Sequence, residues 1–246
     1  FWEAVDSGGG DLWGLRYDVT GATAGGSDVI KLGITTSESG GNTNNGADQQ
    51  ESHEGTQTTE WQHILMTWED GVGFNLYIDG ELDEPTLAMV TTEGTTALMD
   101  RFVLGDGAKA YWDGYIDEVA VWTSTLTADN AAWLAENSIA GLGGGAGNSL
   151  LNGLVAHFPL DSDGNSTNGE FTATTVTDVE FGADGATANT GTSATFNGSS
   201  SIIQHDWVAG LNPADSFTLS VWAKSDGGAG AWHSPVTSRN DKNPDS

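Results

Sequence analysis

Cysteine is absent from the 246 residues, so disulfide staples and thiolate metal sites are excluded. Basic residues are scarce too: 7 Lys+Arg stand against 35 Asp+Glu, for a net charge of −28. Nucleic acid and anionic membranes need basic patches, so neither is an expected partner. The same charge suits cation binding, a saline exterior or simply a solvating surface. No run of 18 apolar residues occurs, so no helix-type membrane span is expected. Signal-peptide patterning and an initiator Met are missing, and the start at Phe1 reads as a processed piece or an excised part of something longer. A cysteine-free acidic chain fits a secreted or cell-surface protein of bacterial, archaeal or viral type. Proline is rare (5) while glycine is abundant (35), and Thr, Trp and Val are frequent. Many short strands joined by tight turns follow from that balance, and 10 Trp, 8 Phe and 4 Tyr supply a core.

Alternation of apolar and polar residues predicts strands over 11–18, 29–36, 60–69, 74–79, 101–104 and 111–122. Asp79-Gly80 reads as a two-residue hairpin turn, because both central positions want φ > 0. Residues 37–58 lack periodicity and read as one long exposed loop. On the strand ending at Trp122, period 2 puts Tyr115, Asp117, Val119 and Val121 on one face, with Ile116, Glu118, Ala120 and Trp122 on the other. Asp117 then shares a face with two valines, a costly place for a carboxylate unless it is hydrogen-bonded or holds a cation. One helix is expected, capped by Thr127 and running 128–137, with Leu126, Ala131 and Leu134 facing the sheet. Gly-rich residues 141–149 form the clearest boundary, a linker between 1–140 and 150–246. Beyond it, strands are expected over 153–160, within the Thr-rich 170–195, over 194–203 around a turn, over 216–224 and over 235–239. In Ser216 to Lys224, Phe217, Leu219, Val221 and Ala223 fall on one side.

Trp61 to Trp68, Leu76 to Gly80, Phe102 to Gly105 and Gly114 to Trp122, followed by the short helix, resemble the second half of a laminin G-like domain. Gly153 to Asp161, Ala194 to Gly198 and Phe217 to Lys224 resemble its first half. The resemblance implies an all-β, concanavalin A-like antiparallel β-sandwich of jelly-roll type with one short helix. Its two halves stand in permuted order here, since joining Ser246 to Phe1 would restore the family arrangement. Segment 150–246 therefore belongs either to the next repeat of a tandem array or to the same, circularly permuted domain. The array reading is preferred. It implies head-to-tail completion by neighbouring copies, which yields a filament. Pairing of 153–160 with 111–122 within one chain, or only between chains, separates the two.

The resemblance also implies a structural Ca²⁺, with Asp117 of the final strand and Asp161 at the end of the first strand among its ligands; the Asn197-Gly198 turn would add a carbonyl. Asp161, Asp163 and Asn165 open like an EF-hand loop, but Ser166 and Thr172 stand where Gly and Glu are needed, so an Asx-rich turn is the better account. Sugar binding needs an aromatic platform, for which Trp112, Trp232, Trp2 and Trp13 are the candidates. Catalysis has little support: no Glu-x-Asp-x-Glu strand, H-E-x-x-H motif or Ser-His-Asp set is evident. His63 and His157 lie within strands and read as packed or surface residues. The expected function is a non-catalytic, calcium-stabilised adhesion or structural module, a repeat unit or protomer of a surface fibre. A carbohydrate-binding module with glycan partners is the first alternative, and a viral fibre or decoration protein the second.

Overall fold

The structure, a computed structural model, describes residues 4–5, 9–18, 28–34, 49–83, 101–106, 110–142, 149–167, 171–206, 215–227 and 233–239. Segment 1–140 supplies β1 (Ala4–Val5), β2 (Gly9–Asp18), β3 (Val29–Ile34), β4 (Gln49–Glu51), β5 (Gln62–Glu69), β6 (Gly73–Ile78), β7 (Glu81–Leu82), β8 (Arg101–Leu104) and β9 (Asp113–Trp122). Segment 150–246 supplies β10 (Leu154–Phe158), β11 (Ala173–Thr177), β12 (Glu180–Asp184), β13 (Thr192–Asn197), β14 (Ile202–Asp206), β15 (Ser216–Ser225) and β16 (His233–Arg239).

These strands form two antiparallel sheets. One runs β11-β14-β8-β16-β2-β3-β4 with β1 on β2, the other β12-β13-β9-β15-β5-β6-β7 with β10 on β9. β16 lies between β8 and β2, and β15 between β9 and β5, so the later segment is threaded through the middle of both sheets. β10 pairs with β9 inside this chain, His157 opposite Ala120 and Phe158 opposite Val119, which is the pairing expected of one permuted domain rather than of the preferred array segment. The core lies between the sheets. Ile64, Met66 and Trp68 of β5, Phe217, Leu219, Val221 and Ala223 of β15, and Phe102, Leu104, Phe158, Phe196 and Ile203 all enter it. The alternation in β15 is therefore inward for its apolar set, while Thr218, Ser220 and Trp222 point outward.

The outward face of the second sheet carries a smaller core. α1 (Ala128–Leu134) buries Ala131 and Leu134 against Leu65, Tyr77, Ala120 and Trp122. Thr127 caps it: its Oγ1 accepts from the Asn130 N–H, and the Asn130 side chain accepts from the Thr127 N–H. α1 sits over the β6–β7 turn, where Asp79 (φ 51°) and Gly80 (φ 83°) take the left-handed conformations of a two-residue hairpin. A Cβ at Gly80 would fall 2.8 Å from Ala132 Cα, so the turn's glycine also allows the helix to dock. Thr127→Ala is expected to cost about 1 kcal/mol, read as a lower urea midpoint with unchanged cooperativity.

Three sequence expectations change. The stretch 37–58 is not one loop: β4 begins at Gln49, Ser52 is buried, and its Oγ accepts from the Ile30 N–H at 2.9 Å. The residues 35–48 lie outside the described ones. The linker's ends are short 3₁₀ turns, Ile139–Gly141 and Ser149–Leu151, and the Leu150 carbonyl accepts from Trp122 Nε1 at 2.7 Å; 143–148 lie outside the described residues. The faces of β9 also differ from strict alternation. Ser220 of β15 pairs with Ala120 and Trp222 with Asp117, so Glu118 and Val119 together oppose Val221. This is a β-bulge, with Glu118 at φ 49°. It sends Ile116, Val119 and Val121 into the main core and turns Asp117 to the face of Glu118, Ala120 and Trp122.

Candidate functional site

The bulge falls where β9 changes partner. β13 pairs with β9 only as far as Ile116, and β10 pairs with it only from Val119 onward. Asp117 and Glu118 occupy the seam between the two, both buried. At this seam the loop that follows β10, which holds Asp161, meets the loop that leads into β13.

Asp117 is fully buried, and its Oδ2 accepts from the Ala186 N–H at 3.0 Å. Its Oδ1 makes no hydrogen bond. Burial pushes its pKa from 3.8 up to about 7; the Ala186 N–H and the Thr190 hydroxyl pull it down, while the charges of Glu118 and Asp161 raise it. Asp161 is held beside it: its Oδ1 accepts from the Thr192 N–H at 2.5 Å and from the Thr192 hydroxyl at 3.1 Å. A Cβ at Gly191, where φ is 74°, would strike Asp161 Oδ1, so glycine lets that loop pass close to the carboxylate, which stays exposed. Asp117 and Asp161 thus both bond to the segment 186–192, Asp117 buried and Asp161 exposed.

Asn197 and Gly198 are not brought there. Asn197 pairs with Asp113, four residues along β9 from Asp117, or about 13 Å at strand rise. The Asn197 side chain caps its own turn, its Oδ1 accepting from the N–H groups of Ser199, Ser200 and Ser201. Asp163 likewise closes an Asx turn by accepting from the Asn165 N–H at 2.8 Å. Trp112 is fully buried, edge-on to Tyr17 at 5.0 Å, and is a core residue rather than a platform. Trp2 and Trp232 lie outside the described residues, as does the side chain of Trp13.

Glu118 anchors a second buried polar group. Its Oε2 lies 2.8 Å from His157 Nε2, and its Oε1 accepts from the Ser138 hydroxyl at 2.8 Å. The carboxylate stands between histidine and serine, so the serine is not activated by the imidazole as a hydrolase nucleophile would be. Both Glu118 and His157 are sealed from solvent, as is His63, whose Nε2 lies 2.8 Å from the Ser220 hydroxyl.

Sequence reasoning missed a half-exposed aromatic pair two residues from Asp117. Tyr115 lies on the outward face of β9, and Trp61, just before β5, reaches it with ring centroids 6.1 Å apart and planes inclined at 53°. Lys224 Nζ stands 5.6 Å from the centre of the Tyr115 ring. With Gly182, Ala183 and Asp184 these three line a cavity of 390 Å³. Period-2 reading of Tyr115 and Lys224 was the available signal; the bulge and the lateral register hid the rest.

Two antiparallel sheets around an aromatic core, with a helix on one outward face and a polar seam along the last strand of the first segment, define a concanavalin A-like sandwich. The chain belongs to that superfamily: a laminin G-like family model, described as the concanavalin A-like lectin/glucanases superfamily, matches residues 3–132, more than half of the chain. It is similar to adhesion G-protein coupled receptor D1 of Homo sapiens, 32% identical over 77 residues. That match covers 29% of this chain and spans only 9% of the receptor. No solved structure matches. Among the described residues, no helix is long and apolar enough to cross a membrane.

Proposed function

We propose that this chain is a non-catalytic extracellular adhesion module whose sheet seam is held by Ca²⁺. The observation that carries the reading is the buried Asp117 carboxylate, with an unpartnered Oδ1, near enough to the exposed Asp161 for that charge to raise its pKa. Ca²⁺ takes hard oxygens, carboxylates and backbone carbonyls among them. Asp117 and Asp161 would supply two, with the Thr190 hydroxyl and the carbonyls of 185–191 as the remaining protein donors. Among the described residues no three His, Asp or Glu side chains converge, so backbone and hydroxyl oxygens are needed to complete the shell. A bound cation would favour the ionised form of Asp117 and join β10, β9 and the loop before β13 at the one point where the β9 edge lacks strand pairing.

The test is thermal melting in millimolar CaCl₂ against excess EDTA. A ligand bound only to the folded state at 100 times its Kd adds about 2.7 kcal/mol, so a rise of several degrees is expected. Identical melting would remove calcium from the account.

Assembly into a fibre is proposed through exchange. Because segment 150–246 threads between strands of segment 1–140, swapping it between copies would reproduce the same pairings head-to-tail. Secretion or surface display suits the charge of −28 and the cysteine-free composition, whether the host is cellular or viral. A carbohydrate-binding role is the second reading, favoured by the Trp61–Tyr115 pair.

A further inference from the structure

We infer that the cavity lined by Trp61, Tyr115, Lys224, Gly182 and Asp184 is a binding site for neutral pyranose saccharides. The inference rests on the carbohydrate-binding reading and names its site. α1 and the 3₁₀ turns cover the end of the outward face that bears Leu65, Ala120 and Trp122. The other end carries Trp61, Lys224 and Tyr115, all half-exposed, with Lys224 directly opposite Tyr115 in the β15–β9 ladder. Two large aromatic side chains left at the surface of an acidic protein offer apolar faces to the C–H side of a sugar ring, and their inclination makes a cleft.

The polar groups fit hydroxyls. Asp184 is an exposed acceptor, and the Lys224 ammonium is a donor held near the Tyr115 ring. Gly182 is the extra residue of a bulge, since Phe181 pairs with Ala194 and Ala183 with Ser193. It takes φ 90°, and a Cβ there would meet nothing within 4 Å. The wall beside the aromatics is therefore bare backbone in open space, which allows close approach of a ligand. A cavity of 390 Å³ lies in the range of small-molecule sites. The net charge of −28 disfavours approach of acidic glycans, which selects the neutral class.

The experiment is calorimetric titration of the full chain, in CaCl₂ because Tyr115 and Asp117 share a strand. The probes are neutral hexasaccharides of β-1,4-glucose, α-1,4-glucose, β-1,4-mannose and β-1,4-galactose, with oligogalacturonate and a sialylated oligosaccharide as acidic comparators. At least one neutral probe is expected to bind, with Trp61→Ala and Tyr115→Ala each weakening it by about tenfold or more and Asp184→Asn by about fivefold. Circular dichroism and melting of the variants should match the parent, since both aromatics are half-exposed. Neutral binding that survives both aromatic variants overturns this site and leaves carbohydrate binding standing. Binding of acidic probes alone overturns the neutral class. Failure of every probe counts against the site and the carbohydrate-binding reading together.

Discussion

Glu118→Ala is expected to lower the unfolding free energy by about 4 kcal/mol, because it strips the partner from two buried groups at once. His157 Nε2 and the Ser138 hydroxyl each lie 2.8 Å from a Glu118 oxygen, and all three residues are sealed from solvent. The loss bears on the seam itself: His157 sits in β10, Ser138 leads into the 3₁₀ turn after α1, and Glu118 is the bulge residue of β9. Typical domains hold roughly 5–15 kcal/mol in total, so urea unfolding should show a large fall in midpoint. Glu118→Gly makes the comparison sharper. The backbone at φ 49° costs a non-glycine residue about 1 kcal/mol, so glycine should be less damaging than alanine by about that amount. An alanine variant as stable as the parent would contradict the buried network, and a glycine variant no better than alanine would contradict the strained bulge.

Asp117→Asn is expected to act in opposite directions with and without calcium. Without cation, the folded state holds the Asp117 proton more tightly than the unfolded state, at about 7 against 3.8. Between those values the folded protein binds more protons, so the contribution of Asp117 to stability falls as pH rises through that window and is lowest above it. The full difference is on the order of 4 kcal/mol. His63 works the other way: burial lowers its pKa from 6.5 to about 3, so its contribution rises with pH across that interval. Subtracting the variant's stability curve from the parent's removes the His63 part. In EDTA the difference should swing against the parent from pH 4 to pH 7, so that the asparagine variant is the more stable at pH 8. In CaCl₂ the parent should gain and the variant should not. Parallel curves in EDTA would show that Asp117 is not a buried charge, and an equal calcium response would show that it is not a ligand.

Much of the fold could be read from local pattern. The Asp79-Gly80 turn, the Thr127 cap with Leu126, Ala131 and Leu134 beneath it, and the inward set of β15 each depend on residues within a few positions of one another. The laminin G-like resemblance likewise survived because its motifs are short strand pieces. The candidate site was legible only in part. Asp117 stands out as a carboxylate in an apolar strand, and the charge of Asp161 reaches it across the seam. Asn197 and Gly198 were drawn in by their nearness to a turn, yet their strand register puts them at the far end of β9. Trp112 is a platform candidate from its position near a strand end, but its ring packs on Tyr17 from another strand.

Residue order by itself determined the strand-rich class, the acidic exterior, the cysteine-free chemistry and which residues alternate, because these follow from composition and from the two-residue period of an extended chain. Tertiary structure alone decided the face on which Asp117 lies. Two strands, β13 and β10, share one edge of β9, and the chain bulges where one gives way to the other. That extra residue turns Asp117 to the outward face beside Glu118 and leaves Ile116 in the core. The same lateral register brings Tyr115 and Lys224 of two paired strands, with Trp61 just before β5, into one cleft, a neighbourhood that no single stretch of the chain contains.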